Sequence, residues 1–257
     1  MILRYLSDLH LEFLTMDEVN SIIKEIESEK STSDEVCILA GDIGNLHISK
    51  INYDTFMSFI NRYFSKTFVI PGNHEYYDSN IEEMNQIMTD YFKPFKSITF
   101  LNNTYEYYNG YCFIGSVLWS KVTDNGYYIS DIKRIYNMTH KEYNQVNREC
   151  VTFLEETVPN HKNCILITHH MPSSELLDKK YKTFSNILYN QWFYCNMDTF
   201  IQTHRNNITC WIYGHTHTPS IKFISEIPML CNPIGYPNEN TGSNYNQKFN
   251  LPIKKGE

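Results

Sequence analysis

Short apolar runs recur along the chain and predict buried β-strands. Each run ends in a cluster of Gly, Asp, Asn or His; the runs cover residues 2–6, 36–40, 67–70, 164–168 and 209–213. Continuous apolar runs of this length are typical of strands covered on both faces. Apolar residues at helical spacing lie between them and predict helices over about 16–29, 54–64, 79–91, 139–158 and 189–201. The alternation predicts parallel strands joined by right-handed crossovers.

Three of the predicted helices begin at capping residues. Thr15 is followed three residues later by Glu18, and Ser79 and Thr139 are followed by Glu82 and Glu142 at the same spacing. A Ser or Thr side chain in this position accepts from the backbone of the first turn, and the Glu side chain bonds back to the cap. Residues 30–34 are polar and predict a linker between the first helix and the second strand.

The pattern changes in the middle of the chain. Aromatic and β-branched runs separated by Asn-Asn and Asn-Gly predict antiparallel pairing in a second sheet, over 98–101, 105–107 and 111–117. Residues 119–137 are irregular. Further strands are predicted at 222–224 and 227–231, where Pro228 suits a strand end, an edge or a bulge. The tail after Tyr236 is polar and is expected to wrap the surface or fray.

The length of 257 residues suits one α/β domain over 1–257, with a cap or lid expected within 171–206. The net charge of -7 offers no overall attraction to nucleic acid, which stays possible as a partner but is not favoured. The seven cysteines contain no C-x-x-C pair and indicate a reducing compartment. The sequence shows no apolar run of the length of a membrane span and no signal-peptide core, so a cytoplasmic location is expected.

Candidate chemistry lies where the predicted strands end. Five such positions carry Asp8 and His10, Asp42, Asn73 and His74, His169, and His215 and His217. Any one alone is more often structural, but open α/β sheets place ligands at this edge. Without His74, the set contains two Asp, one Asn and four His. This is about the number of ligands that two divalent ions need. Asp42 is the expected bridging ligand, because it lies between the others.

Two metal ions about 3.5 to 4 Å apart suit the hydrolysis of phosphate esters. They acidify a shared water, and they clamp the oxygens of a phosphoryl group for in-line attack by the hydroxide that bridges them. His74, next to Asn73, is expected to face the substrate, where it could protonate the leaving alkoxide or stabilise it as a cation. The catalytic residues predicted from the sequence are therefore His74 and Asp42.

The ordered blocks resemble the signature of the calcineurin-like metallophosphoesterases. The blocks are Asp8-x-His10, Gly41-Asp42, Gly72-Asn73-His74-Glu75, His169 and Gly214-His215-x-His217. The resemblance implies a four-layer α/β/β/α sandwich, with two central mixed sheets flanked by helices, and a dinuclear Mn, Fe or Zn site. It assigns Asp8, His10 and His217 to one ion and Asn73, His169 and His215 to the other. Asp42 bridges them, and His74 is the catalytic histidine.

One block departs from the phosphoprotein phosphatases of that family. There the Gly-Asp block continues into Asp-Arg-Gly, whereas Asn45 and Leu46 stand at the Asp and Arg positions here. The departure favours a phosphodiesterase or a nucleotide-type hydrolase acting on a small phosphorylated substrate. A Ser/Thr-type phosphoprotein phosphatase, a nuclease and, less favoured, a catalytically silent metal-binding scaffold are the alternatives.

Substrate contacts are harder to predict. Arg134 could bind a phosphate, although a surface salt bridge is an equal expectation. His170 is a second candidate, with a structural role behind the ligands as its alternative. Tyr236 could stack on a substrate or simply close the fold. The native substrate, the metal and the oligomeric state are not determined by these patterns.

Overall fold

The computed structural model describes residues 1–29, 35–123 and 129–251, and two mixed β-sheets form its centre. The first sheet has the order β11-β1-β2-β3-β4. Its strands are β1 (Ile2–Leu6), β2 (Glu35–Ala40), β3 (Thr67–Ile70), β4 (Ile98–Phe100) and β11 (Lys248–Asn250). β1 to β4 are parallel, and β11 joins β1 antiparallel. The predicted strand, helix, strand unit is confirmed.

The second sheet has the order β5-β6-β7-β8-β10-β9. Its strands are β5 (Thr104–Tyr108), β6 (Tyr111–Ser116), β7 (Cys164–Thr168), β8 (Ile208–Tyr213), β9 (Ser220–Ile224) and β10 (Ile227–Cys231). Its middle strands are parallel, and an antiparallel strand closes each edge. Pro228 precedes the residues of β10 that pair with β8, so it removes no hydrogen bond from that ladder.

The two sheets pack face to face through alternate residues of their strands. Val36, Ile38 and Ala40 of β2 belong to the same buried cluster as Ile165 and Ile167 of β7. Side chains alternate between the faces of a strand, so the residues between them point to the outer faces. This explains the continuous apolar runs, because both faces of the central strands are covered.

Helices cover the outer faces and complete the four layers. They are α1 (Met16–Glu27), α2 (Lys50–Tyr63), α3 (Ile81–Phe92), α4 (Ser130–Arg134), α5 (His140–Thr157), α6 (Ile187–Asn190) and α7 (Asp198–His204). The buried sides of α1, α2, α3 and α5 join one cluster with outward residues of both sheets, such as Leu39 and Leu166. Within the described ranges, no helix is long and apolar enough to span a bilayer.

Three sequence predictions about elements were wrong. β4 pairs with β3 in the first sheet and in parallel, so the second sheet begins only with the β5–β6 hairpin. Asn80 rather than Ser79 caps α3, because its side chain accepts from the Glu83 N–H. The single helix predicted over 189–201 is divided into α6 and α7, and the chain between them pairs with residues 171–172.

Of the other sequence predictions, one is confirmed, one is partly wrong, and two concern residues that the structure does not describe. The Thr15 and Glu18 capping box is present at the start of α1. The predicted tail is not wholly irregular, because residues 248–250 form β11. The linker predicted at 30–34 and part of the irregular segment, 124–128, lie outside the described residues.

A buried ion pair holds β11 and β1 to β2. The Arg4 guanidinium lies 2.8 Å from the Glu35 carboxylate and donates to Asn246, and Lys248 reaches the other Glu35 oxygen at 2.7 Å. Arg4 and Glu35 are at most 1% exposed. A charge left buried without its partner costs far more than an exposed pair contributes.

We therefore expect Glu35→Met, which leaves the buried Arg4 guanidinium bonded only to the carbonyls of Ile26 and Glu29 and to Asn246, to lower the free energy of unfolding by about 3 to 5 kcal/mol. Urea denaturation followed by circular dichroism measures the change. Lys50→Met is the matched control, because it breaks the exposed Lys50–Asp54 pair and is expected to cost less than about 1 kcal/mol. Equal losses in the two variants would contradict the role given to the buried pair.

Candidate metal centre

The structure brings all seven predicted metal ligands together. They follow β1, β2 and β3 in the first sheet and β7 and β8 in the second, so they meet where the carboxyl ends of both sheets adjoin. The seven residues are Asp8, His10, Asp42, Asn73, His169, His215 and His217. Their distances divide them into two groups.

Asp8, His10 and His217 form the first group, and their ligand atoms all lie within 4.8 Å of one another. The His217 Nε2 atom is 3.3 Å from Asp8 Oδ1 and 3.1 Å from His10 Nε2. Burial opposes the negative charge of Asp8, but His217 outweighs it and lowers the pKa of this carboxyl below its usual value.

Asp42, His169 and His215 form the second group, again with ligand atoms within 4.8 Å of one another. The His169 Nε2 atom lies 3.3 Å from Asp42 Oδ2 and 3.0 Å from Asn73 Oδ1. Asp42 Oδ2 is also 3.9 Å from His10 Nε2 in the first group. The Asp42 carboxylate therefore stands between the two groups.

Hydrogen bonds behind the imidazole rings fix which nitrogen faces the centre. The His169 Nδ1 atom lies 3.0 Å from the Ala40 carbonyl, and the His217 Nδ1 atom lies 2.5 Å from a Glu239 carboxylate oxygen. Both partners can only accept, so each Nδ1 carries the proton and donates it outward. With a cation bound at the centre, the Nε2 atoms of the two rings would supply lone pairs to it.

This arrangement fits a divalent cation. If His10 has its proton on Nδ1, toward Glu12, its Nε2 atom and that of His217, 3.1 Å apart, need either a proton or a metal ion between them. Histidines that ligate a metal are held in this way, with the other ring nitrogen bonded to a carboxylate or a carbonyl. Oxygen and imidazole donors together suit Mn, Fe or Zn.

Most of these ligands have an unusual backbone conformation. The left-handed region is occupied by Asp8, His10, Asp42, His215 and His217, with φ between 46° and 67°. A non-glycine residue in this region costs of order 1 kcal/mol or more and persists only where the surrounding fold imposes it. The chain thus turns sharply where β1, β2 and β8 end, and it directs these side chains into the centre.

Glycines next to the ligands permit the close approach of neighbouring loops. A Cβ atom on Gly41, which has φ of 84°, would lie 2.6 Å from His169 Nδ1. A Cβ atom on Gly214 would lie 2.8 Å from Asp8 Oδ2. The Gly-Asp and Gly-His pairs are therefore steric requirements of the centre.

His74 lies beside the two groups and is held by a carboxylate. Its Nδ1 atom is 2.9 Å from Glu12 Oε1, and its Nε2 atom is 4.0 Å from Asp42 Oδ2. Burial lowers the pKa of His74, but Asp42 and Glu12 outweigh burial and raise the pKa above its usual value. The imidazolium is thus favoured, and a protonated imidazole can donate to a leaving oxygen.

Glu75 holds the turns that carry Asp42 and Asn73. Its buried carboxylate accepts hydrogen bonds from the backbone N–H groups of Gly72, Asp42, Ile43 and Gly44, at 2.7 to 3.2 Å. Burial, followed by the nearby charge of Asp42, raises the pKa of Glu75 to about 7. The side chain ties the β2 and β3 turns together.

Asn73 is oriented by two partners from other elements. Its amide nitrogen donates to Asp131 at 2.8 Å and to the Tyr77 hydroxyl at 3.0 Å. The amide oxygen is therefore the atom that faces His169. This is the orientation that a metal-ligating asparagine needs, because only its oxygen coordinates hard cations.

Neither of the two predicted substrate contacts lines the cavity at the centre. Arg134 forms an ion pair with Asp78 at 2.5 Å and lies over the Tyr77 ring, which matches the salt bridge expected as its alternative. His170 has no exposed surface and packs against Trp119, with its Nε2 atom 3.3 Å from the Tyr143 hydroxyl. This placement fits the structural alternative for His170.

Several side chains around the centre were not predicted from the sequence. Glu12 and Glu75 stand within two residues of predicted site residues, and their proximity to His10 and His74 was the available signal. Asp131 and Glu239 carry no local signal, because they are far along the chain from their partners Asn73 and His217.

Comparison with known proteins gives one family. The profile of the calcineurin-like phosphoesterases matches residues 4–219. An uncharacterized protein, L509, of Acanthamoeba polyphaga mimivirus is 30% identical over 270 residues, which cover 95% of this chain and 94% of that protein. The family uses divalent metal ions, and the His and Asp clusters described above are able to bind them.

Solved structures share the fold at low identity. The phosphopantetheinyl hydrolase of Mycobacterium tuberculosis has a TM-score of 0.69 and 17% identity, covering 91% of this chain and 89% of its own. A dimetal phosphatase of Danio rerio has a TM-score of 0.58 and 10% identity, covering 94% and 90%. At such identities the likeness concerns the architecture.

Proposed function

The chain belongs to the calcineurin-like phosphoesterase family, and from this premise we propose that it hydrolyses phosphodiesters in preference to phosphomonoesters. As a member of the family the protein is a metal-dependent phosphoester hydrolase. One observation carries the proposal: the two ligand groups meet at Asp42, and the buried His74 ring lies beside them, bonded to the Glu12 carboxylate. Small phosphorylated compounds are the substrates that such a site would take.

The first ion would be held by Asp8, His10 and His217, and the second by Asn73, His169 and His215, with Asp42 shared. Divalent ions in such a site lower the pKa of water and neutralise charge on a phosphoryl group. Mn, Fe and Zn all suit these donors, and supply in the cell decides between them.

His74 would act on the leaving group. Its Nε2 atom is 4.0 Å from the shared Asp42 carboxylate, so it lies within reach of an oxygen bound at the centre. Glu12 keeps the Nδ1 proton in place and favours the charged ring. We assign to His74 the proton that the departing alkoxide receives, and to Glu12 the positioning of the ring.

The residues around the centre favour a diester. Asn45 donates to the His74 and Tyr77 carbonyls and accepts from the His47 and Ile48 backbone, so its side chain is fully used in joining its own loop to the turn after β3. Among the described residues that line the cavity at the centre, none is a lysine or an arginine. A monoester dianion carries one more negative charge than a diester, and the only cationic side chain that the described lining offers it beside the ligands is His74, which is already assigned to the leaving group.

A reducing, intracellular compartment is part of the proposal. All seven cysteines are buried and unpaired. Proteins of oxidising compartments tend to pair such cysteines as disulfides, whereas intracellular proteins keep them reduced.

The test compares bis-p-nitrophenyl phosphate with p-nitrophenyl phosphate, using protein stripped of metal and reloaded with Mn. We expect kcat/KM for the diester to exceed that for the monoester by about tenfold or more, which corresponds to about 1.4 kcal/mol. Metal content, measured on the same sample, is expected to approach two ions per chain. Preference for the monoester would contradict the diesterase proposal, and full metal content without turnover of either compound would favour a silent scaffold.

A further inference from the structure

A cavity of about 370 Å³ opens at the candidate metal centre. Its inner end is formed by ligands and the catalytic candidate, among them Asp42, His74 and His215. Its other walls are mainly aromatic or apolar, and include Leu177, Tyr181, Tyr189, Phe193 and Tyr236. A group attached to a phosphate at the centre would enter this cavity.

Aromatic rings form a continuous column along one wall. The Tyr189 ring centroid is 5.2 Å from that of Phe193, and the Phe193 centroid is 5.1 Å from that of His215, with the last two rings tilted by 35°. Tyr189 is 43% exposed. The column therefore runs from solvent to a predicted metal ligand, and its outer ring has a free surface.

Other residues that line the cavity offer hydrogen-bond partners. The Tyr236 hydroxyl lies 3.2 Å from His74 Nε2 at the inner end. Asp131 uses one carboxylate oxygen for Asn73 and Tyr77, and its buried second oxygen has no hydrogen-bond partner among the described residues. Ser130, Asp131 and Glu239 line the same cavity, and their side chains offer acceptor oxygens to the N–H or O–H donors of a bound group.

The charges of the cavity select against a second phosphate. Asp131 and Glu239 line it, and the described lining residues include no lysine or arginine. Away from the histidines at the inner end, a further anionic group would meet these carboxylates without a lysine or arginine to compensate them. A flat uncharged ring suits these walls, because aromatic side chains stack on any π-face.

We propose that this cavity binds the ester group that stays on the phosphate, and that the group is an uncharged ring with hydrogen-bond donors, such as a nucleoside. The inference rests on the proposed function, since it names the diesters that the same centre takes. It makes Tyr189 a specificity-determining residue and gives the segment 171–206 the role of a cap that supplies the aromatic wall.

The test uses two diesters that release the same p-nitrophenolate. Thymidine 5′-(p-nitrophenyl phosphate) carries a nucleoside on the phosphate, and methyl p-nitrophenyl phosphate carries a small alkyl group. With the Mn-loaded enzyme we expect kcat/KM for the thymidine ester to be higher by about tenfold or more, as base stacking on an aromatic side chain allows.

Tyr189→Ser is expected to lower kcat/KM for the thymidine ester about tenfold and that for the methyl ester by much less, which removes most of the advantage. Phe184→Ser is the matched control, because Phe184 lies in the same segment, is 93% exposed and does not line the cavity. It is expected to change neither rate.

The outcomes separate the two proposals. Equal kcat/KM for the two esters in the wild-type enzyme, or an equal loss on both in Tyr189→Ser, would overturn the assignment of the cavity and leave the diesterase proposal standing. Failure to cleave either ester would overturn the diesterase proposal, and the cavity assignment with it.

Discussion

Replacing Asp42 by asparagine is expected to lower kcat/KM for bis-p-nitrophenyl phosphate by roughly a thousandfold, or about 4 kcal/mol. Asparagine keeps the size of the side chain but removes the charge that both ligand groups share. It also leaves the imidazoles of His169 and His10 facing a neutral oxygen at 3.3 and 3.9 Å. The variant should therefore bind less metal as well as react more slowly.

Kinetics and elemental analysis of the same Mn-loaded preparation measure both effects. Asp54→Asn is the matched control, because it makes the same chemical change at a surface residue paired with Lys50. It is expected to keep the wild-type rate and metal content. An Asp42→Asn enzyme with undiminished metal content and rate would show that Asp42 is not the shared ligand.

His74→Ala is expected to reduce kcat by about a hundredfold or more while the metal content stays unchanged. The reason is that His74 is assigned to the leaving group and not to an ion. The expected loss is smallest for p-nitrophenolate, which leaves without a proton, and grows for alcohols that leave only when protonated. Measuring kcat over a series of leaving groups of increasing pKa tests this directly.

Metal content distinguishes this role from coordination. His74 lies with His10 and Asp42 in a third group whose ligand atoms are within 4.8 Å of one another, so loss of an ion in His74→Ala would make it a ligand instead. Glu12→Gln is expected to show a weaker effect of about tenfold with the same dependence on the leaving group, because it loosens the ring without removing it. His161→Ala, at a surface histidine bonded to Tyr107, is the control.

The central strands were predictable because burial on both faces leaves a strong local pattern. Residues 2–6, 67–70 and 164–168 are strands with the predicted bounds, and all three lie inside a sheet. The ligand positions follow from the same pattern, since each block comes directly after such a strand. The resemblance to the calcineurin-like family rested on these blocks and is confirmed.

The predictions failed where partners distant in the chain decide the local structure. Residues 191–197 lie within the helix predicted over 189–201. In the structure, however, the backbone N–H groups of Cys195 and Met197 donate to the carbonyls of Met171 and Pro172. Ser79 has the spacing of a cap, but its carbonyl accepts from Tyr136, its side chain is buried, and the cap moves to Asn80. Local spacing carries no information about such contacts.

The sequence alone determined the order of strands and helices, the seven candidate ligands and the choice of His74, because strand burial and strand ends are local properties. The tertiary structure decided which groups surround those residues. Glu12 bonds to His74 across 62 positions, Glu239 to His217 across 22, and Asp131 to Asn73 across 58. The aromatic wall of the cavity likewise arises from chain segments that meet only in the fold. Hydrogen bonds and packing between distant segments depend on distance in space, which spacing along a chain does not encode.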